Sequence, residues 1–233
     1  MIQANTEHRA PVSSARIGIK ICGLTSAEQA EGCVRLGADA IGCVFYPQSP
    51  RHVSDETAAG ICRAVSAEAL PVGVFVDEGF DAIMRRVIKC GLAGVQLHGR
   101  EAPDLVRRLK GEGVLVVKAL FFGGHPDPQS ADAYSADVFL VECARGPLPG
   151  GNAMQWDWAS ARPLGAAHPM ILAGGLSPHN VAEAIAAARP SAVDVSSGVE
   201  ASPGKKDMRK VADFIDSVRR QSGSDLFRVF GLP

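Results

Sequence analysis

A single (β/α)8 barrel is the fold class this sequence predicts, and three observations predict it. Short apolar runs alternate with longer amphipathic stretches eight times between Ile17 and about Arg220. No shift in composition marks a second domain. Polar, glycine-rich and reactive residues gather just past the ends of the apolar runs, where such barrels build their sites. The chain has 233 residues, 46% hydrophobic and 21% charged, a size at which one α/β barrel forms a single domain. A doubly wound open sheet is the structural alternative.

The strands are expected at 17–21, 40–45, 72–76, 94–97, 114–120, 138–141, 170–173 and 192–195. Amphipathic helices are expected at 26–36, 55–65, 80–90, 103–110, 178–188 and 206–219, with shorter connections at 127–134 and 157–164. Thr25-Ser26-Ala27-Glu28 offers a hydroxyl cap with an acid three residues on, and Ser177-Pro178 puts proline at a first helical position. The barrel is thus assigned to 16–221, with an N-terminal extension at 1–15, expected to be flexible, and a C-terminal tail at 222–233.

Side chains alternate along a strand, so one face of each meets the helices and the other lines the barrel. That parity sends Ile17, Ile19 and Ile21 outward and Gly18, Lys20 and Cys22 inward. It also sends Gln96 and His98, Lys118, then Val138, Leu140 and Glu142, and finally Ala192, Asp194 and Ser196 inward. A buried charge must be paired. The first and eighth strands are neighbours in a closed barrel, so Lys20 and Asp194 are expected to lie together.

Formal charge is −1, from 24 basic and 25 acidic residues, with neither a basic stripe nor a charged tail. A nucleic-acid partner is therefore not expected. No stretch has the length of a membrane span, and the first residues lack the apolar core of a signal peptide, so a cytoplasmic, membrane-free protein is expected. Six cysteines occur without C-x-x-C or zinc-ligand spacing, and no metal site is expected. Oligomeric state is left as monomer or homodimer.

In Ile171-Leu172-Ala173-Gly174-Gly175-Leu176, two glycines follow a strand and precede a helix. Glycine lets backbone N–H groups approach an anion closely, and a helix N-terminus favours negative charge. Asp194-Val195-Ser196-Ser197-Gly198-Val199-Glu200 offers two hydroxyls and a glycine after the last strand. Loops after the seventh and eighth strands are the recurrent phosphate site of these barrels. Gly174, Gly175, Ser196, Ser197 and Gly198 are the candidate phosphate residues, and the ligand expected is a small phosphorylated substrate. Either segment alone could be a plain tight turn.

Further motifs sharpen the reading. Lys20-Ile21-Cys22-Gly23-Leu24-Thr25 is followed by Gly37-Ala38-Asp39-Ala40-Ile41-Gly42 and Phe45-Tyr46-Pro47-Gln48-Ser49-Pro50-Arg51. Val72-Gly73-Val74-Phe75-Val76-Asp77, Val95-Gln96-Leu97-His98-Gly99 and Ala192 through Glu200, continuing to Asp207, complete the set. In these motifs the sequence resembles the phosphoribosylanthranilate isomerase family over almost everything from Ile17 to Arg219. The resemblance implies an Amadori rearrangement in tryptophan biosynthesis, without metal or organic cofactor. A general acid opens the ribose ring to an iminium, and a general base removes the C2 proton. By resemblance, Cys22 matches the base, Arg51 the residue that binds the anthranilate carboxylate, and His98 and Asp194 two substrate-binding positions. Lys20, two residues from Cys22, is expected to favour its thiolate.

Two departures from the family pattern stand out. Glu142 occupies the position where an aspartate serves as the acid, one methylene longer. In the loop that follows, Gly150-Gly151-Asn152-Ala153-Met154 keeps two glycines but replaces the expected glycine and lysine, and Cys143 through Pro149 is atypical. Two rival readings follow: a divergent homologue acting on another phosphorylated substrate, and a phosphometabolite-binding barrel without turnover.

Overall fold

The structure, a computed structural model, describes residues 16–143 and 156–221. The segments 1–15 and 222–233, and the departing loop at 144–155, lie outside the described residues.

The eight apolar runs form one closed parallel barrel rather than an open sheet. In order these are β1 (Gly18–Cys22), β2 (Ala40–Val44), β3 (Leu70–Phe75), β4 (Gly94–Leu97), β5 (Leu115–Phe122), β6 (Val138–Cys143), β7 (Met170–Leu172) and β8 (Ala192–Val195). Closure runs through β1 and β8, from Gly18 opposite Ala192 to Ile21 opposite Val195. The helices outside are α1 (Ala27–Arg35), α2 (Asp55–Val65), α3 (Phe80–Cys90), α4 (Pro103–Gly111), α5 (Arg162–Ala167), α6 (Val181–Ala188) and α7 (Met208–Arg219). Short 3-10 turns at Pro128–Ala133 and Trp158–Ala161 take the weakly patterned connections. A hairpin of β9 (Glu200–Ser202) and β10 (Lys205–Lys206) follows β8.

Two helix starts differ from expectation. Ser26, not Thr25, caps α1 by accepting from the Gln29 amide, while Thr25 Oγ1 donates to the Gly204 carbonyl at 2.7 Å. Pro178 lies in a turn ahead of α6, because Asn180 closes that turn first: its Oδ1 accepts from the Ser177 amide at 2.7 Å and its Nδ2 donates to the Gly175 carbonyl at 2.9 Å.

Apolar packing comes in two shells. Ala40, Val72, Val117, Ala119, Val138, Leu140, Ile171 and Ala192 fill the barrel. Ile19, Ile21, Val116, Leu120, Phe139 and Val141 face outward against Val106, Leu109, Phe214 and Val218. Burying this surface is the main driving force for the fold. The predicted parity holds on β1, β4, β6 and β8 but fails on β5. Lys118 sits opposite Leu97 and Phe139, both outward-facing, so it points out of the barrel, and Val117 and Ala119 take the inner face. Its charge is satisfied there beneath the loop after β4. The Nζ donates to Glu101 Oε2 at 2.8 Å and to the carbonyls of Gly99 and Leu97 at 2.8 and 3.2 Å. The requirement that a buried lysine be paired was met by a loop residue, not by the barrel interior.

Candidate active site

Cys22 ends β1 on the inner face, and its neighbours explain the residues around it. Lys20 Nζ donates to Asp194 Oδ1 at 2.8 Å, the pair expected across the barrel closure, with the lysine side chain fully buried. Gly42 lies opposite Cys22 on β2, and a Cβ there would come within 2.7 Å of Cys22 Sγ and 3.2 Å of Lys20 Nζ. Glycine at 42 therefore makes room for the thiol and the ammonium. Burial pushes the Cys22 thiol up from its ordinary value; Lys20 and Lys206 pull it down, Asp194 opposes them, and burial wins. Burial also works against the charge on Lys20, but Asp194 and Cys22 more than restore it, so this lysine stays firmly protonated.

Glu142 stands near the end of β6, opposite Phe121 of the inner face. His98 Nε2 is 3.0 Å from Glu142 Oε1, and Gln96 Nε2 is 3.0 Å from His98 Nδ1. Gln96 and Glu142 thus hold the two ring nitrogens of His98 from opposite sides. Phe121 packs edge-on against the imidazole with centroids 5.4 Å apart. His98 thus contacts the carboxyl of Glu142 directly, a link its strand position alone did not reveal.

Arg51, on the loop after β2, crosses to the end of the hairpin. Its Nε and Nη2 donate to the two carboxylate oxygens of Glu200 at 2.8 and 2.7 Å, and Lys206 Nζ reaches Glu200 Oε1 at 2.8 Å. Gly23, at φ +75°, lets the arginine stem pass: a Cβ there would lie 2.5 Å from Arg51 Cδ. Sequence reasoning assigned no role to Glu200 or Lys206, although both stand in the motif that continues from Asp194.

The two glycine-rich loops meet. A Cβ on Gly198 would overlap the carbonyl oxygen of Leu176, so glycine permits the contact between the loops after β7 and β8. Gly174 and Gly175 take φ of +83° and +70°, and their amides have no acceptor among the described residues. Ser196 Oγ is buried and likewise has no partner among the described residues. Trp156 and Trp158 tie the β7 loop down, donating to the carbonyls of Ala173 and Gly174 at 3.1 and 3.4 Å. In the closed strand order β6-β7-β8-β1, these loops lie on the rim between Glu142 and Cys22. The site thus joins a thiol, a carboxyl and backbone amides that have no acceptor among the described residues at one mouth. Among the described residues, no cluster of His, Cys, Asp and Glu is arranged to hold a metal ion.

Comparison with known proteins gives a concordant result. Residues 19–217 match the family model described as N-(5'-phosphoribosyl)anthranilate (PRA) isomerase. The N-(5'-phosphoribosyl)anthranilate isomerase of Desulfatibacillum aliphaticivorans is 51% identical over 209 residues, covering 90% of this chain and 95% of that one. The phosphoribosyl anthranilate isomerase of Thermotoga maritima superposes with a TM-score of 0.81 at 39% identity, over 88% of this chain and 99% of that one. A further solved isomerase, in complex with reduced 1-(o-carboxyphenylamino)-1-deoxyribulose 5-phosphate, gives a TM-score of 0.78 at 38% identity, over 88% and 99% of the two chains.

Proposed function

The chain belongs to the N-(5'-phosphoribosyl)anthranilate isomerase family, and we propose that Cys22 is the general base and Glu142 the general acid of its isomerisation. The reaction converts N-(5'-phosphoribosyl)anthranilate to 1-(2-carboxyphenylamino)-1-deoxyribulose 5-phosphate by an Amadori rearrangement in tryptophan biosynthesis. Glu142 delivers a proton to the ribose ring oxygen, the C1–O bond breaks, and an iminium forms. Cys22, as thiolate, takes the C2 proton, and the electron pair flows to nitrogen to give an enolamine. Ketonisation then yields the product. His98 holds the Glu142 carboxyl in place during the first transfer. Lys20 and Lys206 lower the cost of the thiolate needed for the second.

The observation that carries this reading is the rim order: acid on β6, anion loops on β7 and β8, base on β1. A phosphate held by the amides of Gly174 and Gly175, by Ser196 and by the Ser197–Gly198 turn anchors the sugar between the two proton-transfer groups. Arg51 receives the anthranilate carboxylate at the other end of the substrate. Asp194, whose Oδ1 is taken by Lys20, offers its second oxygen to a sugar hydroxyl. A cytoplasmic location suits the reaction, since a charged phosphate ester does not cross a bilayer unaided. Among the described residues, no helix is long and apolar enough to cross a membrane.

The test is the loss of substrate fluorescence when purified protein meets freshly made phosphoribosylanthranilate. Turnover abolished by Cys22→Ala and strongly reduced by Glu142→Gln supports both roles; either variant turning over like the wild type removes the role assigned to that residue.

A further inference from the structure

Arg51, Glu200 and Lys206 form a buried chain of charges at the edge of the mouth. Glu200 engages the guanidinium side-on, using one hydrogen of Nε and one of Nη2. A guanidinium has five N–H donors in a fixed fork. The end-on pair, Nη1 together with the second hydrogen of Nη2, has no acceptor among the described residues and is open to another planar anion. Charge points the same way. Arg51 with Glu200 alone is neutral and would attract a carboxylate weakly, but Lys206 Nζ shares the same Glu200 oxygen and brings the trio to net +1. Its side chain is fully buried, so this charge is poorly screened. The trio is also braced on several sides. Lys206 Nζ donates to the Ser196 carbonyl at 3.1 Å, its amide donates to Gln29 Oε1 at 2.8 Å, and Lys210 Nζ holds the Glu200 carbonyl at 2.8 Å.

We infer that Glu200 and Lys206 are positioning residues that fix the Arg51 fork and its net charge, and so set selectivity for a substrate bearing a carboxylate on its aromatic ring. Glu200 supplies the geometry and Lys206 the charge balance. The inference rests on the assignment of Arg51 to the anthranilate carboxylate.

The experiment compares phosphoribosylanthranilate with the same compound lacking the carboxylate, N-(5'-phosphoribosyl)aniline. The readout is the ratio of kcat/KM between the two in wild type, Arg51→Lys, Glu200→Gln and Lys206→Met. Both substrates undergo the same proton transfers, so a change at Cys22 or a loss of folded protein cancels in the ratio. Glu200→Gln and Lys206→Met should each lower the ratio about tenfold, the worth of one charge-assisted hydrogen bond. Ratios unchanged in both, with Arg51→Lys lowering it, overturn the inference and leave the Arg51 assignment standing. A ratio raised in Glu200→Gln also overturns it, because Glu200 would then act only as a competing anion. A ratio unchanged in Arg51→Lys removes the Arg51 assignment itself.

Discussion

His98 Nε2 lies 3.0 Å from Glu142 Oε1, and Gln96 holds the far side of the imidazole at 3.0 Å. A glutamate in place of aspartate carries its carboxyl about 1.5 Å further from the backbone, one carbon–carbon bond. His98 meets the carboxyl at that longer reach. Glu142→Asp should therefore break the contact with His98 and lower kcat about tenfold, with Glu142→Gln lowering it further, by about 100-fold or more. Steady-state kinetics on the two variants decide this. Glu142→Asp equalling or exceeding wild type would mean that the longer side chain has no compensating partner.

Removing His98 tests the same contact from the other side. His98→Ala should reduce kcat about tenfold, while His98→Gln, which keeps a donor, should recover part of the loss. A change confined to KM in both variants would make His98 a substrate contact instead of a support for the acid.

Gly42→Ala should be damaging although it adds a single methyl group. The new Cβ would press on Cys22 Sγ at 2.7 Å. Displacement of the thiol should lower kcat at least tenfold, and overpacking should cost about 1–3 kcal/mol of stability by urea denaturation. Wild-type kinetics in Gly42→Ala would show that the Cys22 position has slack.

The Cys22 thiol gives a signed titration prediction. Burial lifts it above the ordinary 9.0, against the pull of Lys20 and Lys206. The thiolate absorbance lost in Cys22→Ala should therefore have its midpoint above that of an ordinary thiol, and Lys20→Met should move it higher still by removing a favourable charge. A difference spectrum already complete at pH 8 contradicts this order of effects. Lys20→Met also leaves Asp194 in the barrel without its cation, which should destabilise the protein by about 3 kcal/mol.

The barrel was legible because strand and helix periods alternate cleanly, and the Lys20–Asp194 pair followed from closure plus parity. Parity misled at Lys118, because the inward register on β5 falls on Val117 and Ala119. Glu101, on the loop after β4, supplies its counter-charge from outside the barrel. No local pattern reports which loop folds over which strand. The Arg51–Glu200 pair joins residues 149 apart in sequence, and its geometry depends on the paths of two loops and a hairpin. Gly23 and Gly42 each sit where a neighbouring side chain, Arg51 or Cys22, occupies the space a Cβ would need, a requirement that shows only once the strands and loops are in place.

In the proposed mechanism one thiol and one carboxyl carry the two proton transfers. Single-turnover loss of phosphoribosylanthranilate fluorescence in wild type, Cys22→Ala and Glu142→Gln measures both transfers. Fluorescence should decay rapidly in wild type, not above background in Cys22→Ala, and about 100-fold or more slowly in Glu142→Gln. Cys22→Ala decaying at a rate within about tenfold of wild type would contradict the mechanism, because general-base removal costs at least about 100-fold.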